Sequence, residues 1–294
     1  MIRLLASDMD GTLLNSHRQI SEENINAIKQ LQEHGIQFII STGREHQSVK
    51  ELLKGTGIHC DMICANGAAT YDKDDNVLFQ HFIEKDKVQQ IFDTLREYDM
   101  VPNIFTENGK ISAIPPEELR TYIQTIMIPS FQVNHPDFVY TKEDIQRRID
   151  ETTFVPNEES IINGDDKVLK IISTYPNPDI LVPVREALKK IPGLAVSYTT
   201  HTDVEVTTTS AQKGIALSDY AKKKGYAFHE MVAVGDSDND YSMLSLPHIH
   251  SVAMANASAH IKEICTYQTR QNTDDGIAYI IRCILTDRQN FKLR

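Results

Sequence analysis

The chain has 294 residues, of which 40% are hydrophobic, and its 41 acidic against 30 basic residues give a formal net charge of −11. That length suits about two domains at ~150 residues each, and the charge disfavours nucleic acid and anionic membrane as partners. No apolar run nears the ~20 residues of a membrane-spanning helix, Asp8 and Asp10 come too early for a signal peptide, and four scattered cysteines (Cys60, Cys64, Cys265, Cys283) read as buried thiols of a cytoplasmic protein.

The opening third alternates strand and helix. Ile2 to Ala6 is a short apolar run ending at Ser7-Asp8, as a buried parallel strand does. Ser21 is a good N-cap, Glu22 and Glu23 favour the helix dipole, Ile25, Ile28 and Leu31 make one face, and Gly35 stops the helix. Phe38-Ile39-Ile40 is a second strand, ending at Ser41-Thr42-Gly43-Arg44, and a helix follows to about Lys54. Met62-Ile63-Cys64 is a third strand, ending at Asn66-Gly67. This alternation predicts a doubly wound parallel sheet.

From about Glu84 to about Ser197 the pattern changes. Val88, Ile91, Phe92 and Leu95 mark a helix, and apolar runs flank the hairpin dipeptide Asn108-Gly109. Lys167–Thr174 reads as a strand, Asp179–Lys190 as a helix and Leu194–Tyr198 as another strand. This mixture predicts an α+β module with an antiparallel sheet, inserted into the first domain. The last third returns to α/β, with Val204 and Val206 in a Thr-rich strand, a helix from Ser210 to Gly225, the apolar strand Met231–Val234 and a strand at Val252–Met254. The expected division is residues 1–83 and 198–294 for the core, and 84–197 for the insertion.

Three strand ends carry the polar residues: Asp8-Met9-Asp10-Gly11-Thr12, Ser41-Thr42-Gly43-Arg44 and Gly235-Asp236-Ser237-Asp238-Asn239-Asp240. Ligands of α/β sheets bind at the carboxyl ends of strands, and carboxylates gathered there need a cation such as Mg²⁺. A calcium loop starting at Asp236 fails, with Tyr241 at position six where Gly is required and Pro247 at position twelve where Glu is required. Asp72–Asn76 fails likewise, with Val77 at position six, and reads as a solvated hairpin turn. The P-loop pattern is absent, and the eleven histidines form no close cluster and read as structural or exposed.

In this order the segments resemble the haloacid dehalogenase superfamily of phosphotransferases, subfamily IIB, the Cof-type phosphatases. Asp8–Leu13 matches the first motif, Ser41–Arg44 the second, Lys213-Gly214 the third, and Gly235–Asp240 with Met243-Leu244 the fourth. Weaker echoes are Asn66-Gly67-Ala68, Val252–Ala257 and Asp275–Ala278; Ala255 and Cys265 depart mildly from the pattern. The resemblance runs end to end and implies a Rossmann-like core with an inserted α+β cap that selects the substrate.

What the resemblance implies for chemistry is a Mg²⁺-dependent phosphatase of small phosphorylated metabolites. Asp8 is the implied nucleophile, forming an aspartyl phosphate, and Asp10 the acid and base, its proton held by a nearby like charge. Mg²⁺ is assigned to the Asp8 carboxylate, the Asp10 carbonyl and Asp236, with Asp240 supporting. Phosphate contacts are assigned to Met9, Thr42, Gly43, Lys213 and Asn239, the last touching phosphate or orienting Lys213. Arg44 reaches substrate or cap, or makes a surface ion pair. A sugar phosphomutase shares this chemistry. A signalling receiver does not fit, since its accepting Asp follows the third strand and its chain is about 120 residues long. The sequence leaves substrate and oligomeric state open.

Overall fold

A computed structural model describes residues 1–134, 136 and 138–293. Its strands are β1 (Leu4–Ser7), β2 (Gln37–Ser41), β3 (Asp61–Cys64), β4 (Ala69–Tyr71), β5 (Val77–Gln80), β6 (Asn103–Thr106) and β7 (Gly109–Ser112). They continue as β8 (Thr152–Phe154), β9 (Val168–Thr174), β10 (Leu194–Ser197), β11 (Asp203–Thr208), β12 (Met231–Gly235), β13 (His250–Ala253) and β14 (Tyr267–Gln268). Two compact units result: Met1–Gln80 with Ala211–Arg294, and His81–Ser210.

The first unit holds an eight-stranded sheet in the order β14-β13-β12-β1-β2-β3-β4-β5. It is parallel from β14 to β3, and antiparallel where β4 and β5 extend it. Leu4, Leu5, Phe38, Ile39, Val232 and Val234 are fully buried, because helices cover both faces of a parallel sheet and alternation is lost. The chain moves outward from β1 to β2 and β3, then returns to place β12 on the other side of β1. Strand order therefore reverses at β1, and a crevice opens at the carboxyl ends of β1 and β12.

Local signals act as expected, with one change. Ser21 Oγ accepts the Asn24 N–H at 3.1 Å to start the helix Glu22–Glu33. Its buried face is Asn24, Ala27, Ile28 and Leu31, with Ile25 only partly buried. Asn24 is buried because its Oδ1 accepts the Ala278 N–H from the helix Gly276–Thr286 at 2.9 Å. The Asp72–Asn76 segment is a hairpin turn between β4 and β5, where Asp72 Oδ1 accepts the amides of Asp74 and Asn76.

The second unit holds a six-stranded sheet, β10-β11-β9-β6-β7-β8, antiparallel except where β8 runs parallel to β7. The helices Lys85–Glu97 and Pro178–Lys189 bury Val88, Ile91, Phe92, Leu95, Leu181, Val184 and Leu188 with the strand residues Ile104, Ile171 and Val206. A separate cluster joins Leu119, Tyr122 and Ile123 to Ile145 and Ile149. The Arg185 guanidinium donates to the carbonyls of Thr200, His201 and Asp203, which ties down the β10–β11 turn.

One boundary differs from the sequence reading. The strand carrying Val204 and Val206 belongs to the second unit, not to the core from residue 198, because β11 pairs antiparallel with both β9 and β10. The second unit accordingly runs over 81–210 rather than 84–197. The one acidic residue between the β11 valines, Glu205, is buried too, and it is held there by an ion pair with Lys170 of β9 at 3.0 Å.

Candidate active site

Asp8 follows β1 directly, and its amide donates to the Val234 carbonyl of β12 at 3.0 Å. The same backbone bond that closes the sheet thus aims the first aspartate at the crevice. Lys213 begins the helix Lys213–Lys224, is 0% exposed, and donates from Nζ to Asp8 Oδ1 and Asp240 Oδ1, each at 2.7 Å. Its depth comes from Gly214, where a Cβ would lie 2.0 Å from the Ser242 carbonyl oxygen, so only glycine admits this approach. Lys213 is therefore a buried counter-ion, unlike the exposed Lys222, Lys223 and Lys224.

Asp240 is committed to the scaffold. Its Oδ2 accepts the amides of Asp236 at 2.9 Å and Ser237 at 3.2 Å, while Oδ1 faces Lys213. Asp236 Oδ1 accepts from Thr12 Oγ1 at 3.2 Å and Ser237 Oγ at 3.4 Å. Gly11, at φ +78°, lets the first loop pass this carboxylate, since a Cβ there would lie 2.4 Å from Asp236 Oδ2.

Asp8, Asp236 and Asp240 each offer an oxygen within 4.8 Å of the others, the one such acidic group among the described residues. One ammonium cannot balance three carboxylates. Asp8 Oδ2 is moreover buried with no hydrogen-bond partner, an orphan that costs stability unless something binds it. An all-oxygen, anionic donor set with an unused carboxylate oxygen fits a hard divalent cation.

The electrostatics follow from this crowding. Burial, then the Asp240 charge, pushes the Asp8 carboxyl up to about 7 against the pull of Lys213. Burial, then Asp8 and Asp240, raises Asp236 well above the carboxylate range. For Lys213, burial works against the charged form, but Asp240 and Asp8 outweigh it and hold the ammonium above its ordinary value. Asp10 behaves oppositely to the sequence expectation. Burial disfavours its ionised form, yet the Arg44 hydrogen bonds and charge, with Arg18 and Lys213, bring it below the usual range. The like charge that was to hold its proton is outweighed by a guanidinium.

The proposed phosphate groups are placed unevenly. Thr42 is 1% exposed, its amide donates to the Ile63 carbonyl, and its Oγ1 accepts the Arg44 amide at 3.2 Å. Gly43 follows it in the turn between β2 and the helix His46–Leu53. The Met9 side chain is fully buried, so only its backbone could serve a ligand. Asn239 Nδ2 lies 3.5 Å from Asn66 Oδ1, whereas Asp8 and Asp240 take the Lys213 ammonium; orientation of Lys213 by Asn239 is not what the structure shows.

Sequence reasoning gave no role to Thr12 and Ser237, which hold Asp236, or to Ser242, whose Oγ accepts the Gly214 amide at 3.0 Å. Asn66 sits at φ 57°, a left-handed turn that its adjacent glycine in the sequence already hinted at. Cys60 and Cys64 are buried as expected, while Cys265 and Cys283 are only partly so, and all four are free. Of the histidines, His135 lies outside the described residues.

Known proteins of one family resemble this chain over nearly its whole length. The family model for haloacid dehalogenase-like hydrolases matches residues 5–281. The chain is 29% identical over 286 residues to the 5-amino-6-(5-phospho-D-ribitylamino)uracil phosphatase YwtE of Bacillus subtilis, covering 97% of this chain and 99% of that one. It is 26% identical to the pyridoxal phosphate phosphatase YbhA of Escherichia coli, covering 95% and 97%. A solved haloacid dehalogenase-like hydrolase from B. subtilis superposes with a TM-score of 0.82 at 28% identity, covering 96% and 99%. The subclass IIB sugar phosphatase BT4131 shares the fold at a TM-score of 0.73 and 22% identity, covering 95% and 98%. The chain belongs to the haloacid dehalogenase-like hydrolases, as an enzyme that hydrolyses phosphate monoesters.

Proposed function

We propose that the protein is a Mg²⁺-dependent phosphatase of small phosphorylated metabolites that works through an aspartyl phosphate on Asp8. The observation that carries the reading is the Asp8 carboxylate itself: buried, held at Oδ1 by Lys213, and unpartnered at Oδ2. Asp8, Asp236 and the Asp10 carbonyl would hold Mg²⁺, with Asp240 bracing the loop. The ion would neutralise phosphoryl charge and ease the approach of one anion to another.

In the first half-reaction an Asp8 oxygen bonds to phosphorus as the bond from phosphorus to the leaving oxygen breaks, and Asp10 gives that oxygen a proton. In the second, Asp10 takes a proton from water, whose oxygen bonds to phosphorus while the bond to Asp8 breaks. Lys213 keeps a fixed positive charge beside Asp8 throughout, so stabilisation of the transferring group requires no reorganisation. Thr42, Gly43, Asn239 and the Met9 amide would hold phosphoryl oxygens. The inserted unit is assigned the choice of leaving group, since phosphate and metal are common to every ester.

Relatives named for a ribitylaminouracil phosphate and for pyridoxal phosphate make those esters, FMN and sugar phosphates the first substrates to try. Phosphate release from this panel with Mg²⁺, by wild type and by Asp8→Asn, tests the reading. Activity surviving in the variant would sink it.

A further inference from the structure

The Arg44 side chain forms a fork on Asp10: Nε donates to Oδ2 at 2.6 Å and Nη2 to Oδ1 at 2.5 Å. Nη1 donates to Ser48 Oγ at 3.1 Å. Both oxygens of the residue assigned to proton transfer are thus engaged by one guanidinium. A two-bond fork of this kind is among the stronger pairings a carboxylate makes, and it orients as well as attracts. It also points N–H donors at both oxygens, so a carboxylic acid proton there would meet a donor rather than an acceptor. While the fork is closed, each Asp10 oxygen already accepts an N–H of Arg44.

The backbone around Arg44 is pinned, but the pair is not sealed. The Arg44 amide donates to Thr42 Oγ1, and its carbonyl accepts the Ala65 amide at 2.8 Å. The Asp10 side chain nevertheless keeps 36% exposure, against 14% for Arg44. A solvent-reachable fork anchored next to the Thr42-Gly43 turn can exchange one anion for another with little backbone movement. A phosphoryl group offers the guanidinium the same paired-oxygen geometry as a carboxylate, with comparable or greater charge.

We propose that Arg44 is a positioning residue that acts by exchange. It parks Asp10 as a carboxylate in the resting enzyme, then passes to the anionic end of the arriving substrate, which frees Asp10 to take up a proton from solvent and face the leaving oxygen. The inference rests on the phosphatase reading above, and it couples substrate arrival to readiness of the acid. Exchange gives Arg44 two anionic partners in turn, so its removal touches binding and catalysis unequally.

The test uses the full chain with Mg²⁺ and compares wild type with Arg44→Met and Arg44→Lys. Substrates are p-nitrophenyl phosphate, whose leaving group needs little protonation, and an alkyl phosphate, whose leaving group needs a proton. For Arg44→Met we expect KM, and the inhibition constant of inorganic phosphate, to rise together by roughly tenfold or more, as loss of a charge-assisted contact demands. We expect kcat on the alkyl ester to hold or rise, since Asp10 no longer has to be released. Arg44→Lys should recover part of the phosphate affinity, because charge returns without the fork. A fall in alkyl-ester kcat with KM and phosphate inhibition unchanged would overturn exchange, as Arg44 would then merely buttress Asp10. So would a lower melting temperature with both constants intact. Asp8→Asn, run alongside, separates the two failures: hydrolysis surviving there refutes the aspartyl-phosphate reading itself.

Discussion

Replacing Lys213 with methionine removes the one ammonium held between Asp8 and Asp240 while nearly keeping its volume. The lysine is 0% exposed and makes two 2.7 Å charge-assisted bonds, so little solvent screening dilutes its role. Breaking a buried ion pair by deleting one partner costs about 3–5 kcal/mol, because the remaining charge is left desolvated and unpaired. Here Asp8, Asp236 and Asp240 would remain, their oxygens within 4.8 Å of one another. At about 2–4 °C per kcal/mol for a unit of this size, the melting temperature of Lys213→Met in chelator should fall by roughly 6–20 °C. Scanning calorimetry reads this directly. Saturating Mg²⁺ should recover part of the loss, since a divalent cation answers the same repulsion. A fall under about 2 °C in chelator would show that the three carboxylates coexist without the ammonium, and would refute its role as their counter-ion.

Two further outcomes follow from the same carboxylates. Asp8 is raised from 3.8 to about 7 in the folded chain, so without metal its contribution to stability is complete below pH ~4 and is lost as pH rises through ~7. Bound Mg²⁺ requires the ionised carboxylate, so the rise in melting temperature on adding Mg²⁺ should grow from about pH 5 to about pH 8; a flat difference would refute the assignment. Asp236→Ala should weaken Mg²⁺ activation far more than Asp238→Ala. The Asp238 side chain is 35% exposed and lies 3.6 Å from His260 rather than in the acidic cluster. Equal effects in a Mg²⁺ titration of activity would place the metal elsewhere.

The parts legible in the sequence are those written in local pattern. β1, β2 and β12 are short apolar runs each ending in polar residues, and that pattern alone marked the crevice. Lys213 was harder, because a lysine at a helix start is ordinarily solvated; only Gly214, which brings the helix against Ser242, explains its burial. Where tertiary contacts decide, the sequence was silent. Nothing local says that Arg44 turns to Asp10, a pairing across 34 positions that reverses the expected protonation tendency of Asp10. β11 was legible as a strand but not as a member of the second sheet, since its partners β9 and β10 are chosen by register. The helical stretch Pro116–Asn134 escaped the pattern for another reason: a wider turn at Ile123–Met127 shifts its period just before Pro129, which has no amide to donate.

Covalent chemistry at Asp8 leaves a phosphorylated aspartate during turnover, which rapid acid quenching would trap. Wild-type protein mixed with a hydrolysed ester and Mg²⁺, quenched and digested, should yield a peptide containing Asp8 that carries one added phosphoryl group by mass. Hydroxylamine should remove the group, as it does from acyl phosphates, and Asp8→Asn should never acquire it. A phosphoryl group found on another residue, or steady turnover with an unlabelled Asp8 peptide at every quench time, would exclude an aspartyl phosphate at Asp8.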